Sequence, residues 1–272
     1  MRKIFYVLAA MLLALPLITT PAFAETEATL PIVMYHLVTE NSKYIGKYGI
    51  TPAELEQDLQ YLAQNNYTTV VMADLIEFVN NATPLPPNPI MLTFDDGNES
   101  DHRYLLPLLE KYDMKAVIAI LGEVSDKYTA ESEKYPAARY PNLTWPQINQ
   151  LHASGRIEIQ SHSYNLHTPP IGSSNKRGEC PKAYHARLLA DLQKLQQACE
   201  KNINYVPNTY VYPLGAIGKN SRAVLEELGF VASISCQEGL NTLRPGDLDC
   251  LFLLQRTNRP SGRSIQDILK NM

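Results

Sequence analysis

The strongest constraint in this chain is an apolar run that ends in two carboxylates. Pro89-Ile90-Met91-Leu92 reads as a short buried strand, and Thr93-Phe94 carry it into Asp95-Asp96-Gly97. A strand interior does not bury two neighbouring acids without partners for them. Gly97 lets the backbone turn sharply directly after them. The acids are therefore expected at the mouth of a strand, where α/β folds place their chemistry. Two carboxylates this close titrate as a coupled pair unless something separates their roles. A bound cation separates them, with one acid as ligand and the other free as base. The alternative is a strand-to-loop turn in which the acids cap a following helix.

A second polar loop favours the cation. Ile157-Glu158-Ile159-Gln160 alternates as a strand does and leads into Ser161-His162-Ser163-Tyr164-Asn165-Leu166-His167. The two histidines lie five positions apart, which is not the one-face spacing of a helix. A loop can still bring both imidazoles to one point. Two neutral imidazoles and one carboxylate suit a catalytic divalent metal with open positions.

Thr93-Phe94-Asp95-Asp96-Gly97 followed by His162-Ser163 and His167 resembles the polysaccharide deacetylases with a NodB-type domain, carbohydrate esterase family 4. Pro31-Ile32-Val33-Met34-Tyr35-His36 is similar to the opening strand of the branch that includes the poly-N-acetylglucosamine deacetylases. Tyr48-Gly49-Ile50-Thr51-Pro52-Ala53-Glu54-Leu55 is similar to that branch's first helix start, and the long spacer between the histidines fits it too. The resemblance implies removal of N-acetyl groups from N-acetylglucosamine-containing cell-surface, biofilm or wall glycans. It implies Asp96, His162 and His167 as metal ligands and Asp95 as the base that takes a proton from the attacking water. Tyr212-Pro213-Leu214-Gly215 resembles the family's third motif, with the main-chain N–H of Tyr212 as the oxyanion donor. The cation is expected to be zinc, although cobalt, nickel or iron also suit these ligands.

The chain departs from the family pattern in three places. The arginine expected shortly before the Tyr-Pro is absent from Pro207-Asn208-Thr209-Tyr210-Val211. No histidine follows His185, so the general acid has no assignment, and Trp145 is the only tryptophan. Arg256 is placed to pair with Asp95 in the missing arginine's stead. With His36 and Pro213 it is counted among the substrate-binding candidates. The missing groups leave two alternatives: a glycan-binding protein on a decayed enzyme scaffold, and a deacylase of small acetyl esters or amides.

Residues 1–24 have the pattern of a signal peptide. Arg2 and Lys3 precede an apolar stretch over residues 4–18, and Ala22-Phe23-Ala24 forms a small-x-small cleavage site. The apolar run is short for a spanning helix. The mature protein, residues 25–272, is therefore read as one secreted domain without a stable membrane anchor, and as a monomer. Losing Arg2 and Lys3 from 24 basic residues against 28 acidic ones makes the formal charge −6. That argues against nucleic acid as a partner.

Strands and helices alternate along the mature chain. Helices are expected over 52–64, 73–80, 104–112, 145–154, 183–201, 221–228 and 264–270. Thr51, Pro52 and Glu54 form a capping box at the first. Strands are expected over 32–35, 68–71, 89–92, 116–121, 157–160, 209–212, 231–235 and 251–255, with a polar excursion over 128–141. The alternation implies a mostly parallel α/β sheet and does not separate an open sheet from a barrel. The family resemblance implies a distorted (β/α) barrel with fewer than eight regular strands. Cys180, Cys199, Cys236 and Cys250 suggest disulfides in an exported protein, Cys236–Cys250 first and Cys180–Cys199 as the complement. Buried free thiols are the alternative, and the absence of a CxxC pair argues against a cysteine zinc site.

Overall fold

The computed structural model describes residues 27–131 and 141–272. The expected signal peptide and most of the polar excursion lie outside the described residues. Eight parallel strands form one sheet: β1 (Ile32–Tyr35), β2 (Thr68–Thr69), β3 (Pro89–Asp96), β4 (Ala116–Ile120), β5 (Ile157–Ser161), β6 (Thr209–Val211), β7 (Ala232–Ile234) and β8 (Thr257–Asn258). Seven of them run in the order β7-β6-β5-β4-β3-β1-β8, and β2 pairs with the start of β3. The helices are α1 (Pro52–Gln64), α2 (Met72–Asn81), α3 (Leu106–Tyr112), α4 (Gly122–Ala130), α5 (Trp145–Ala153), α6 (Pro181–Ile203), α7 (Ser221–Glu227) and α8 (Ile265–Leu269).

One short segment joins the two edges of this sheet. Leu254 bridges Ile234 of β7 in parallel, and the Arg256 N–H donates to the Gln237 carbonyl at 2.9 Å. The next two residues, Thr257 and Asn258, pair with Val33 and Met34 of β1. Residues 254–258 thus close a curled sheet into the distorted barrel that the family resemblance implies.

The two-residue period of a strand sorts β3 between two cores. Ile90, Leu92 and Phe94 face outward, into a cluster with Leu55, Leu59 and Leu62 of α1, Leu109 of α3, Ile148 of α5 and Ile268 of α8. Met91 faces inward with Val117 and Ala119 of β4. The inner cluster also takes Leu75, Phe78 and Val79 of α2. That helix therefore stoppers the end of the barrel where the strands begin, and Glu158 at the start of β5 accepts its Ala73 N–H at 3.0 Å. The capping box at Thr51 forms as expected, with the Glu54 N–H donating to Thr51 Oγ1 and the Thr51 N–H donating to the Glu54 carboxylate.

Several expectations need correction. Residues 251–255 are not a strand. The chain makes a 3-10 turn over Leu248–Leu251, and Leu253 takes a left-handed φ of 58°, so the closing pairing begins only at Leu254. Helix α4 was not expected, because its sequence carries no apolar stripe. Long-range bonds from the Gly122 and Glu123 N–H groups to the Ser163 and Tyr164 carbonyls hold its first turn. Residues 101–105 wind with π spacing ahead of α3. All four cysteines are free. Cys180 caps α6 and Cys199 lies near its far end, about 28 Å away at the helical rise of 1.5 Å per residue. That is far beyond disulfide reach. Cys236 instead packs beside Arg256, and Cys250 lies against the Arg244 carbonyl.

The end of the chain is fastened by a buried ion pair. Asp58 on α1 accepts from Arg259 Nε at 2.7 Å, Arg259 Nη2 at 3.1 Å, the Tyr35 hydroxyl at 3.1 Å and the Ile265 N–H at 3.1 Å. Removing the carboxylate strands a buried guanidinium just past the closing segment. Asp58→Ala is expected to lower unfolding stability by about 3–5 kcal/mol in a denaturant titration.

Candidate active site

The site forms because two successive residues leave β3 with left-handed backbones. Asp95 still follows the strand period and points into the barrel. Asp96 has φ 76° and Gly97 φ 63°, which swings the second carboxylate across the mouth. Aspartate tolerates this region better than most residues, and at Gly97 a Cβ would stand 3.1 Å from Ile120 Cγ2. Two asparagines hold the turn. Asn98 Nδ2 donates to the Asp95 carbonyl at 3.1 Å, and Asn142 Nδ2 donates to the Asp96 carbonyl at 2.9 Å. In the sequence, only the place of Asn98 directly after Gly97 points to this role.

Asp96 then meets both histidines. Its Oδ1 lies 3.6 Å from His162 Nε2 and 3.4 Å from His167 Nε2. The three side chains offer ligand atoms within 4.8 Å of one another, the arrangement that would hold a metal ion. His162 Nδ1 lies 2.8 Å from the Val211 carbonyl, which can only accept. Nδ1 therefore carries the proton and leaves the Nε2 lone pair facing Asp96. Asp96 Oδ1 is buried and makes no hydrogen bond. A buried carboxylate oxygen without a partner, between two imidazole nitrogens, fits a cation. Burial lowers the pKa of His162 against the pull of Asp95 and Asp96, which favours the neutral, ligating form.

Asp95 has a different partner. Arg256 Nη1 and Nη2 each donate to one of its oxygens at 2.7 Å. The same guanidinium donates from Nη1 to Thr93 Oγ1 at 3.1 Å, from Nε to the Ser235 carbonyl at 2.8 Å, and from Nη2 towards Cys236 Sγ at 3.6 Å. Burial alone would raise the Asp95 pKa. Arg256, then His162 and His36, outweigh it and hold the carboxyl well below the usual carboxylate range. His36 Nε2 stands 3.8 Å from Asp95 Oδ2, with its ring 4.7 Å from that of Tyr48.

These groups open into a cleft of about 670 Å³ whose walls include His36, Tyr44, Tyr48, Leu214, Glu238 and Asn258. Three expected roles change. Arg256 is fully buried and salt-bridged to Asp95, so it holds that carboxylate and does not line the cleft. The Tyr212 N–H donates to the Ile234 carbonyl at 3.0 Å and its phenol is bonded to Ser221, which leaves that N–H unable to serve an oxyanion. Pro213 is buried in the turn, and Leu214 after it is the residue at the wall. His102 and His185 lie away from the cleft, on Gln150 and Glu227 respectively.

The mouth of the barrel gathers three side chains that could hold a cation, a separately held carboxylate and an open cleft, an arrangement suited to a hydrolase. A family model described as polysaccharide deacetylase matches residues 82–233, and the chain belongs to that family. The poly-β-1,6-N-acetyl-D-glucosamine N-deacetylase of Escherichia coli K12 is 24% identical over 248 residues, which cover 84% of this chain and 37% of that protein. The chain therefore spans little more than a third of that relative's length. The enzyme of the same name from Staphylococcus aureus is 21% identical over 76% of this chain and 68% of its own. Among solved structures, a de-N-acetylase from Aggregatibacter actinomycetemcomitans superposes with a TM-score of 0.76 at 22% identity, covering 90% of this chain and all of that one. A Streptococcus pyogenes deacetylase gives 0.73 at 19% identity, over 91% of this chain and 99% of its own.

One acid near the site has no function in it. Asp101 is wholly buried and its oxygens have no close hydrogen-bond partner. Burial, then the charges of Asp96, Glu99 and Asp95, raise its pKa well above the ordinary value, and the Asn98 N–H offsets only part of this. The native carboxyl thus keeps its proton where the unfolded one has lost it. Wild-type stability is expected to fall relative to Asp101→Asn as the pH rises above about 4, read from denaturant midpoints across pH.

Proposed function

We propose that this chain is an exported, metal-dependent N-deacetylase acting on N-acetylglucosamine-containing surface or biofilm glycans. Residues 25–272 are its mature domain after removal of the signal peptide. The observation that carries the reading is the separation of Asp95 from Asp96, one carboxylate salt-bridged to Arg256 and the other facing two imidazoles. Family membership and the activity of the relatives support it.

Asp96, His162 and His167 are the residues that would hold the ion, most simply zinc, with cobalt, nickel or iron as alternatives. A divalent cation there supplies Lewis acidity and makes a water acidic enough to attack an amide. Asp95, held by Arg256 beside the ligand set, is the carboxylate placed to accept a proton from an attacking water. Its carboxylate stays ionised at any working pH, and Arg256 fixes its direction. The N–H of Leu214, the first after Pro213, replaces that of Tyr212 as donor to the developing oxyanion. His36 is the imidazole at the wall that faces Asp95 and not the ligand set. It gives the leaving nitrogen its proton, the role that had no histidine in the family's usual place. Arg256 and His36 thus fill the two gaps that motivated the binding-protein alternative, and support the enzyme over it.

Acetate release from N-acetylglucosamine oligomers tests the reading. Release is expected to stop with a chelator, return with zinc or cobalt, and increase with oligomer length. Asp95→Asn is expected to abolish it. His36→Gln is expected to cost about 10²- to 10⁴-fold in kcat. Acetate release that survives Asp95→Asn or metal removal would overturn the mechanism. Activity on small acetyl esters alone, without length dependence, would favour the small-substrate deacylase.

A further inference from the structure

His162 and His167 sit in a loop, so no helix or strand ladder sets the distance between them. The four residues between them are gripped from outside the site. Asp191 on α6 accepts the Tyr164 N–H with Oδ1 at 2.8 Å and the Asn165 N–H with Oδ2 at 2.9 Å. On the other side of the chain, the Ser163 and Tyr164 carbonyls accept from the Gly122 and Glu123 N–H groups at 3.2 and 2.9 Å. The Tyr164 phenol donates to Asp126 at 2.6 Å, and Lys194, one turn from Asp191, lies 3.8 Å from the ring centroid. A Cβ at Gly122 would stand 2.5 Å from Tyr164 Cδ2, so the loop closes onto α4 only because that residue is glycine.

The two histidines do not depend on this grip equally. His162 is anchored on its own account, its N–H donating to the Ile120 carbonyl and its Nδ1 to the Val211 carbonyl. Among the described contacts, His167 has no such backing bond, and its side chain is 32% exposed. Its place over Asp96 is set by the course of the chain from Ser163, whose φ of 98° turns the loop just before the two N–H groups that Asp191 takes.

We propose that Asp191 is a positioning residue for the metal ligands, its bidentate hold on the Tyr164 and Asn165 N–H groups setting His167 opposite His162 and Asp96. The proposal rests on the metal site of the proposed function. Asp191 touches neither the ligand atoms nor the cleft. One carboxylate taking two adjacent N–H groups makes a charge-assisted clamp, stronger than two neutral bonds. Without it the spacer relaxes, and His167 is lost from the set before His162 is.

The test is metal affinity together with acetate release. Zinc and cobalt dissociation constants would be measured against a chromogenic chelator for wild type, Asp191→Ala and the isosteric Asp191→Asn. The visible spectrum of each cobalt form and the thermal melt of each metal-free protein would be recorded alongside. Both variants are expected to bind about 10- to 100-fold more weakly, the range for groups that orient metal ligands. Their cobalt bands are expected to change while their metal-free melts stay cooperative. If Asp191→Ala does not fold, Asp191→Asn decides. Wild-type binding with the Asn variant within twofold of it and an unchanged cobalt spectrum would overturn the role of Asp191 and leave the metal site standing. No binding by wild type would overturn both.

Discussion

The Arg256–Asp95 pair is the interaction on which both the barrel and its chemistry depend. A guanidinium with no exposure to water is costly unless each of its donors is met. Here all five N–H groups find acceptors: both Asp95 oxygens, Thr93, the Ser235 carbonyl and the Cys236 sulfur. Those acceptors come from β3 and from the exit of β7, and the arginine itself comes from the segment that joins β7 to β1. The charge that steadies Asp95 is therefore also the internal tie of the barrel closure. Breaking it from either side leaves an unpaired charge in the interior, so a variant at this pair will confound catalysis with folding.

The pair also explains how two adjacent acids keep separate roles. Left alone, neighbouring carboxylates share a proton and neither has a fixed state. In this chain the left-handed turn at Asp96 and Gly97 sends the first acid down onto a cation of the protein and the second across to two imidazoles. Each carboxylate thus answers to its own partners, the guanidinium for Asp95 and the two imidazoles for Asp96. The asymmetry lies in backbone geometry, which the Asp-Asp-Gly order permits and the flanking asparagines hold.

Local chemistry was legible in the sequence and long-range closure was not. The acid pair, the two histidines, the Thr51 capping box and the order of strands and helices each follow from residues close together in the chain. Arg256 was identified as a partner for Asp95, yet its strand was drawn over 251–255. Nothing local shows that Leu253 turns left-handed or that pairing with β1 begins at the residue directly after Arg256. The Tyr212 role failed for the same reason. Its N–H is claimed by a carbonyl of β7, more than twenty residues away, and only the ladder register reveals it. Helix α4 has a polar sequence and owes its first turn to the histidine loop. The cysteine spacing suggested a cross-link that a continuous 23-residue helix makes impossible.

Helix α2 has a consequence for how a long substrate meets this protein. It fills the end of the barrel where the strands begin, so the interior opens at one end only. A polymer cannot thread through, and Asp96, His162 and His167 are reached from the open cleft alone. Under the proposed function, a glycan strand would therefore lie across the mouth and present one acetamido group at a time. Both of its ends would stay outside, so internal units would be as accessible as terminal ones.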